Sequence, residues 1–304
     1  PDAGPYWLPT EHAASLSRAA PADNLAVFAQ YVGLLGSVED DIVTCFRKGG
    51  GVPYERFGRF HEIMAEDSGQ SVLPALEEHI VPLVPGLAER LRTGIRVLDV
   101  GCGYGALARF LARRFACPVT ATNISERELE WGRELTEQQG LDDKVEFQWA
   151  DFHELPFEEG AFDVYWSQEA FLHAVDKSVV IDEAARVLKP GGQLVFTDLL
   201  VREGTSEEDR ERIYARVNSP DMWDTHHYKR ALEDAGLKVV THQNWSDNVA
   251  PTYAWVRDQL EARRDEFEQR IGKDVVDRTS AALQFWVDAA NDDKIGWEYF
   301  VAAK

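Results

Sequence analysis

The chain has few cysteines, no C-x-x-C pair and no long apolar run. Its 304 residues contain three cysteines, Cys45, Cys102 and Cys117. This number and spacing argue against a disulfide framework or a zinc site and fit a reducing cytoplasm. The apolar stretch SVLPALEEHIVPLVPGL is interrupted by charges and prolines, well short of the roughly 20 residues that a membrane span needs. The first residues lack the basic start and apolar core of a signal peptide, so we expect a soluble cytoplasmic protein, although the chain could begin inside a longer one.

Positive charge is also scarce. Acidic residues outnumber basic ones by 53 to 32, which gives a formal net charge of -21 at pH 7. Nucleic acids and anionic membranes require a basic surface, so neither is an expected partner. The adjacent His226 and His227 have no identifiable third ligand, and no metal site is predicted. A small molecule is therefore the expected substrate.

The chain divides into two parts by its pattern. Residues 1–92 carry apolar residues at helical spacing and predict a helical cap or dimerisation region, or else a simple packing subdomain. Residues 93–304 alternate short strands with helices, which predicts a doubly wound α/β sheet covered on both faces. A helical insertion at about 249–293 precedes the last strand and is long for a plain connection. We therefore expect it to form a lid.

A glycine loop follows the first predicted strand, in VLDVGCGYG at 97–105. In an open α/β sheet the ligand binds beyond the carboxyl ends of the strands, and the first strand-to-helix turn is the usual nucleotide site. The G-x-G-x-G spacing of Gly101, Gly103 and Gly105 matches neither the G-x-G-x-x-G fingerprint of dinucleotide sites nor a phosphate-binding loop. Asn123 closes the second strand, where an NAD site has an acidic residue. The loop alone therefore does not identify its ligand.

Five stretches in order resemble the motifs of class I S-adenosylmethionine-dependent methyltransferases: VLDVGCGYG, VTATNIS, WADFHELPF, FDVYWSQEAFLHA and EAARVLKPGGQLVFTDLL. The resemblance implies a Rossmann-like seven-stranded sheet with an antiparallel last strand, S-adenosylmethionine as methyl donor and S-adenosylhomocysteine as product. It implies that the amino acid part of the cofactor faces Asp99 and the glycines, the ribose faces Asn123, and the adenine faces Asp151. The full set of cofactor residues implied is Asp99, Gly101, Gly103, Gly105, Asn123, Ile124, Asp151, Phe152, Ser167 and Gln168.

Asn123 departs from this family pattern. The residue at this place is usually Asp or Glu, which accepts hydrogen bonds from both ribose hydroxyls. An amide can accept from one hydroxyl and donate to the other, so we expect the cofactor to bind nonetheless.

The segment WSQEAFLHA and the tail IGWEYFVAAK resemble sarcosine and dimethylglycine N-methyltransferases. This implies methyl transfer to a small polar acceptor, with N-methylation of glycine derivatives as the leading hypothesis. O-, S- or C-methylation of another small metabolite is the alternative. From other classes, a nicotinamide oxidoreductase and a non-catalytic cofactor-binding partner subunit stay open.

His173 and Gln168 are the candidate catalytic residues, because both follow the fourth strand at the carboxyl edge of the sheet. His173 could remove a proton or orient the substrate, or be a structural histidine bonded to a backbone carbonyl. Trp166, Trp245 and Tyr253 are candidate substrate contacts, since aromatic faces attract methylated ammonium groups, although most aromatic residues of the lid fit core packing. Three arginines could bind a carboxylate or form a solvated helix face: Arg257, Arg263 and Arg264.

The N-terminal part resembles bacterial methyltransferases in which a winged-helix segment precedes the catalytic domain, on LPTEHAASLSRAAPADNLAVFAQY and GGGVPYERFGRFHEIMAEDSGQSVLPAL. The resemblance implies that this part covers the active site, bringing Tyr54, Phe57 and His61 near the substrate, and it is compatible with a homodimer. A purely structural role is the alternative.

Overall fold

The structure is a computed structural model that describes residues 9–16, 25–48, 52, 56–58, 63 and 76–304. The chain forms two compact units. The smaller takes the described residues up to Val81 together with 265–273, and the larger takes 82–264 and 274–304.

The described residues of the smaller unit are mostly helical. Its α-helices before residue 52 are α1 (Thr10–Leu16), α2 (Leu25–Gly36) and α3 (Glu39–Lys48), and a π-helix covers Leu76–Ile80. Helix α3 begins with three acidic residues and ends with Arg47 and Lys48, charges that complement the helix dipole at both ends. Arg56 pairs with Asp41 of this helix at 2.7 Å. The described residues of this part of the chain therefore form helices, as the spacing of its apolar residues predicts.

The larger unit is built on a seven-stranded sheet in the order β3-β2-β1-β4-β5-β7-β6. Strand β7 runs antiparallel to both of its neighbours, β5 and β6. This confirms the predicted doubly wound sheet with an antiparallel last strand. The strands are β1 (Val97–Val100), β2 (Val119–Asn123), β3 (Val145–Trp149), β4 (Phe162–Gln168), β5 (Leu188–Val201), β6 (Lys238–Asn244) and β7 (Ile295–Ala303).

Helices flank this sheet and fill the insertion before its last strand. Ser125 caps one of them by accepting a hydrogen bond from the Glu128 N–H at 3.4 Å. The flanking helices are α4 (Leu87–Arg92), α5 (Ala106–Phe115), α6 (Glu126–Gln138), α7 (Lys177–Val187), α8 (Glu207–Val217) and α9 (Thr225–Asp234). The insertion consists of α10 (Val249–Ala262), α11 (Arg264–Ile271) and α12 (Lys273–Asn291).

Helix α7 ends at Val187 and β5 begins at Leu188, since Pro190 has no N–H to donate and cannot continue a helix. Helix α8 was not predicted at all. It is mostly polar, and Ser206 caps it by accepting from the Asp209 N–H.

The strand order identifies the edge of the sheet at which a ligand would bind. It reverses between β1 and β4, which run parallel with Val100 beside Ser167, and a ligand binds at such a reversal point. Behind this edge lies an aromatic core in which the rings of Phe196 and Phe300 stack at 4.8 Å. Among the described residues, no helix is long and apolar enough to cross a membrane.

Candidate active site

The glycine loop lies directly beyond the carboxyl end of β1. Gly101, Gly103 and Gly105 all have positive φ, and Gly105 is the N-cap of α5. A Cβ on Gly101 would lie 2.5 Å from the Ala170 Cβ, and one on Gly105 would collide with the Phe147 ring. The loop therefore packs against its neighbours more closely than a side chain would permit. It exposes backbone groups and the N-terminus of α5 at the switch point, the place where the strand order reverses between β1 and β4.

Asp99 lies at the base of this loop and is 3% exposed. Its Oδ2 is buried and has no hydrogen-bond partner among the described residues. Burial raises the pKa of this carboxyl to about 7, and the nearby Arg109 only partly opposes the rise. Buried polar atoms are nearly always paired in folded proteins. The unpaired oxygen therefore fits a ligand that brings its own donor, such as an ammonium group.

Asn123 ends β2 beside the glycine loop, and its amide is engaged at both ends. Its Nδ2 donates to the Glu128 Oε2 at 2.6 Å, and its Oδ1 accepts from the Ser125 N–H at 3.3 Å. Although the strand end itself carries an amide, a carboxylate from α6 therefore lies next to it. The sequence reasoning missed Glu128 because it considered only the strand end.

The third strand is followed by Asp151, whose Oδ1 accepts from the backbone N–H and the Nδ1 of His153 at 2.9 and 2.7 Å. The His153 N–H is the main cause that lowers the pKa of this carboxyl. Oδ2 keeps no partner among the described residues. Phe152 packs against the core, while Ile124 is 64% exposed. This edge thus offers an acceptor and apolar surface, which suits a heterocycle with an exocyclic amine.

The end of β4 contains a strained residue that sequence reasoning passed over. Glu169 has φ of +45°, in the left-handed region that non-glycine residues rarely occupy. Its Oε1 accepts from Thr197 Oγ1 at 2.6 Å and from Trp297 Nε1 at 2.8 Å. Its Oε2 has no partner in the described part of the chain. Because backbone strain concentrates at functional sites, Glu169 is a candidate for function.

The residues predicted around Glu169 differ in their surroundings. Ser167 is buried and donates to the Val100 carbonyl at 3.1 Å, which ties β4 to β1. Gln168 is exposed at the strand end, and His173 is exposed at the end of a short 3-10 turn. Neither His173 ring nitrogen bonds to a backbone carbonyl within the described residues, so the structural alternative for it has no support here.

Trp166 is 1% exposed inside β4. Its ring belongs to the core, and Trp166 is no part of the surface that a substrate would meet. Tyr54 and His61 lie outside the described residues.

An aromatic wall begins at Trp297 of β7, which donates to Glu169, and includes residues before and inside the insertion. Trp245 packs on Trp297 and stacks on Tyr299, with ring centroids 5.1 Å apart in both pairs. Tyr253 lies 4.6 Å from Trp286. Trp286 and Tyr299 are fully buried, whereas Trp245, Tyr253 and Trp297 are half-buried. Of the predicted substrate contacts, Trp245 and Tyr253 therefore keep accessible surface.

The arginines considered for a carboxylate are on the outside of the insertion. Arg257 pairs with Asp258 at 2.6 Å, and Arg264 pairs with Glu261 and Asp277. These contacts agree with a solvated helix face. Within the described residues, no group of three His, Cys, Asp or Glu side chains is arranged to hold a metal ion.

A sheet of this order, with a glycine loop and an unpaired acid at its switch point, has the architecture of the class I methyltransferases. Residues 98–196 match the family model of the methyltransferase domain. The chain is 34% identical over 224 residues to the sarcosine/dimethylglycine N-methyltransferase of Halorhodospira halochloris, covering 74% of this chain and 80% of that protein. The protein belongs to the S-adenosylmethionine-dependent methyltransferases, and S-adenosylmethionine is its cofactor.

Other comparisons mark the breadth of this family. The 27-O-demethylrifamycin SV methyltransferase of Amycolatopsis mediterranei is 34% identical over 206 residues, covering 64% of this chain and 74% of that protein. A crystal structure from Galdieria sulphuraria, provisionally assigned as a sarcosine dimethylglycine methyltransferase, superposes with a TM-score of 0.69 at 28% identity. That match covers 80% of this chain and 88% of the other.

Proposed function

We propose that the protein methylates the nitrogen of glycine derivatives, such as sarcosine and dimethylglycine, with S-adenosylmethionine as donor. The observation that carries the proposal is the Glu169 carboxylate, fixed by Thr197 and Trp297 beside the glycine loop. A carboxylate and an aromatic face both stabilise an ammonium group, which the acceptor nitrogen becomes as it gains a methyl. The similarity to N-methyltransferases of these amines supports the same assignment.

The residues of the switch point would hold the cofactor in three places. The unpaired Asp99 Oδ2 would accept from its ammonium group, with the glycine loop around its amino acid part. Asn123 and Glu128 would bind the ribose hydroxyls. Asp151 Oδ2 would accept from the adenine amine, with Ile124 and Phe152 as apolar walls. The cofactor supplies an electrophilic methyl on a sulfonium, so the protein needs mainly to align the acceptor and exclude water.

Two residues at the edge of β4 complete the proposed catalytic group. Gln168 is placed to orient the acceptor, with an amide that both donates and accepts. His173 is exposed to solvent and would carry away the proton that the acceptor nitrogen loses before attack. Replacing both residues by Ala should abolish turnover, and replacing His173 alone should leave S-adenosylhomocysteine binding unchanged. Full turnover in the double variant would contradict their role, and an inactive wild type that binds cofactor would favour the non-catalytic partner subunit.

The Glu128→Gln variant should bind S-adenosylhomocysteine about 10- to 150-fold more weakly, because a hydrogen bond to a charged acceptor is worth roughly 1.5–3 kcal/mol. Titration calorimetry measures the change. The control is Glu126→Gln, in the same first turn of α6, where the side chain pairs with Arg133 on the surface at 3.0 Å. Equal affinities for both variants would mean that Glu128 does not bind the ribose.

Transfer of a labelled methyl group tests the acceptor class directly. Wild-type protein with labelled S-adenosylmethionine should label sarcosine or dimethylglycine in preference to phenols, thiols and activated carbons. Label in phenols or thiols, with none in glycine, sarcosine or dimethylglycine, would support the O- or S-methyltransferase alternative, which the rifamycin-methylating relative represents. The homodimer, the absence of nucleic-acid partners and the cytoplasmic location stay predictions alongside this proposal.

A further inference from the structure

Arg216 is an arginine whose guanidinium has no partner within the described residues. It lies in the last turn of α8 and is half-buried. Its Nε is fully buried, and no guanidinium nitrogen of Arg216 has a hydrogen-bond partner in the described part of the chain. By contrast, Arg210 on the same helix donates to Thr205, Tyr214 and Arg202. A guanidinium taken from water without compensation costs free energy, so an anionic ligand is the natural partner of Arg216.

The surroundings of Arg216 connect it to the aromatic wall. Val217, the next residue, packs against the same apolar cluster as Tyr253 and Trp297, and Trp286 belongs to that cluster. Trp297 in turn donates to Glu169. The last turn of α8, Tyr253 and Trp297 therefore pack on one apolar cluster, and Trp297 is the residue that donates to Glu169.

Two opposite charges act on Tyr253. Burial is the main cause that raises the pKa of its phenol, and the charges of Arg216 and Glu169 act on it in opposite directions, Arg216 lowering and Glu169 raising the pKa. Tyr253, Val217 beside Arg216, and Trp297, which donates to Glu169, pack against one apolar cluster. A cation and an anion at the borders of this cluster form a dipolar site.

We propose that Arg216 binds the carboxylate of the methyl acceptor and that Glu169, through its free Oε2, binds the acceptor amine. The inference rests on the proposed function and deepens it by naming the residues that recognise an amino acid zwitterion. Arginine suits this role because its planar fork binds a carboxylate through two parallel hydrogen bonds. The aromatic faces of Trp245 and Trp297 would enclose the N-methyl groups.

In the proposed step, an ammonium acceptor first gives its N–H proton to Glu169 Oε2, and the solvent-exposed His173 carries the proton on to water. The freed nitrogen lone pair forms the new N–C bond while the C–S bond breaks, and its electron pair stays on sulfur. The product is an ammonium with one more methyl. With dimethylglycine this product is quaternary and has no proton, so the Glu169 charge and the aromatic faces hold it.

Acceptor selectivity tests the role of Arg216. N,N-Dimethylethanolamine has the same tertiary amine as dimethylglycine but lacks the carboxylate, so wild type should prefer dimethylglycine in kcat/KM. The Arg216→Met variant should lose about 10- to 100-fold of this preference, mainly through KM, the range expected for a hydrogen bond to a charged group. The control is Arg230→Met, an exposed arginine whose ion pair with Asp234 is 3.8 Å long, which should keep the preference.

A binding measurement separates recognition from turnover and from misfolding. Dimethylglycine titrated into the S-adenosylhomocysteine complex should bind to wild type and Arg230→Met and more than about 10-fold more weakly to Arg216→Met, with S-adenosylhomocysteine affinity unchanged. Arg216→Lys, which keeps the charge but not the fork, should lie between them. An Arg216→Met protein that binds dimethylglycine like wild type, or keeps its preference, overturns the subsite while the proposed function stands. Failure of wild type to methylate any glycine derivative overturns the proposed function instead.

The Glu169→Gln variant tests the amine-binding side of the proposed site. It should lower kcat for sarcosine by about 10- to 100-fold and shift its pH profile to higher pH, since the amine must then lose its proton to bulk water. Affinity for S-adenosylhomocysteine should not change. An unaltered pH profile with wild-type kcat would show that Glu169 does not meet the amine.

Discussion

In the absence of cofactor at pH 8, the Asp99→Asn protein is expected to be more stable than wild type, and it is expected to bind S-adenosylmethionine at least about 30-fold more weakly. Burial raises the pKa of the Asp99 carboxyl from 3.8 to about 7. The folded protein therefore holds this proton more tightly than the unfolded chain does. The contribution of Asp99 to the free energy of unfolding is highest below pH 4, falls as the pH rises to about 7, and is constant above pH 7. The shift corresponds to up to about 4 kcal/mol.

The amide removes this pH dependence because it has no proton to lose. Thermal unfolding of the cofactor-free proteins at pH 5 and pH 8 should show the stability advantage of Asp99→Asn growing with pH. Affinity moves the other way, since breaking a buried, hydrogen-bonded charge pair costs about 2–5 kcal/mol. Calorimetry in buffers of different ionisation enthalpy should also show about one proton released when wild type binds cofactor at pH 6, and none at pH 8.

Asp198 supplies the control. It is fully buried on β5, burial raises its pKa to about 7, and the Tyr228 hydroxyl donates to it. Asp198→Asn should therefore reproduce the effect of pH on stability but leave the affinity for S-adenosylhomocysteine unchanged. If both variants lost cofactor affinity equally, the pairing of Asp99 with the cofactor ammonium would be wrong.

The sequence predicted the sheet and the cofactor loop because both follow from local patterns. Buried strands such as VLDV and FDVYW are continuous apolar runs, and the G-x-G-x-G spacing belongs to a turn whose neighbours in space are also its neighbours in sequence. The strand order and the antiparallel β7 came from the family resemblance rather than from the pattern.

The acceptor site was harder to predict because its parts are remote in sequence. Glu169 stands in the segment that was singled out, yet its importance depends on bonds to Thr197 and Trp297, more than 25 residues away. Arg216 lies on α8, a polar helix with too weak an apolar stripe to be noticed. Arg257 and Arg264 were conspicuous instead, and they turned out to pair with neighbouring acids. A signal was present only for Glu169, as an acid next to Gln168 at the end of a strand.

The Gly101→Ala variant is expected to lose turnover by a factor on the order of 100 or more, since misplacement of reacting groups by about 1 Å has an effect of that size. Gly101 has φ of +70°, and its added Cβ would lie 2.5 Å from the Cβ of Ala170. Ala170 follows Glu169 directly, so relief of the collision must move either the cofactor loop or the acceptor site. The variant should also lose about 2–5 kcal/mol of stability, from the left-handed backbone and from overpacking together.

Two further variants separate these causes. Gly103 also has positive φ, but nothing lies within 4 Å of the place that a Cβ would take there, so Gly103→Ala should lose only the backbone part, about 1–2 kcal/mol. Adding Ala170→Gly to Gly101→Ala removes the colliding atom, and the pair should recover much of the turnover and S-adenosylhomocysteine affinity that the single variant loses. A double-mutant cycle measures this coupling. Additive losses would mean that the two segments do not press on each other, and the link between methyl donor and acceptor sites through Ala170 would have to be abandoned.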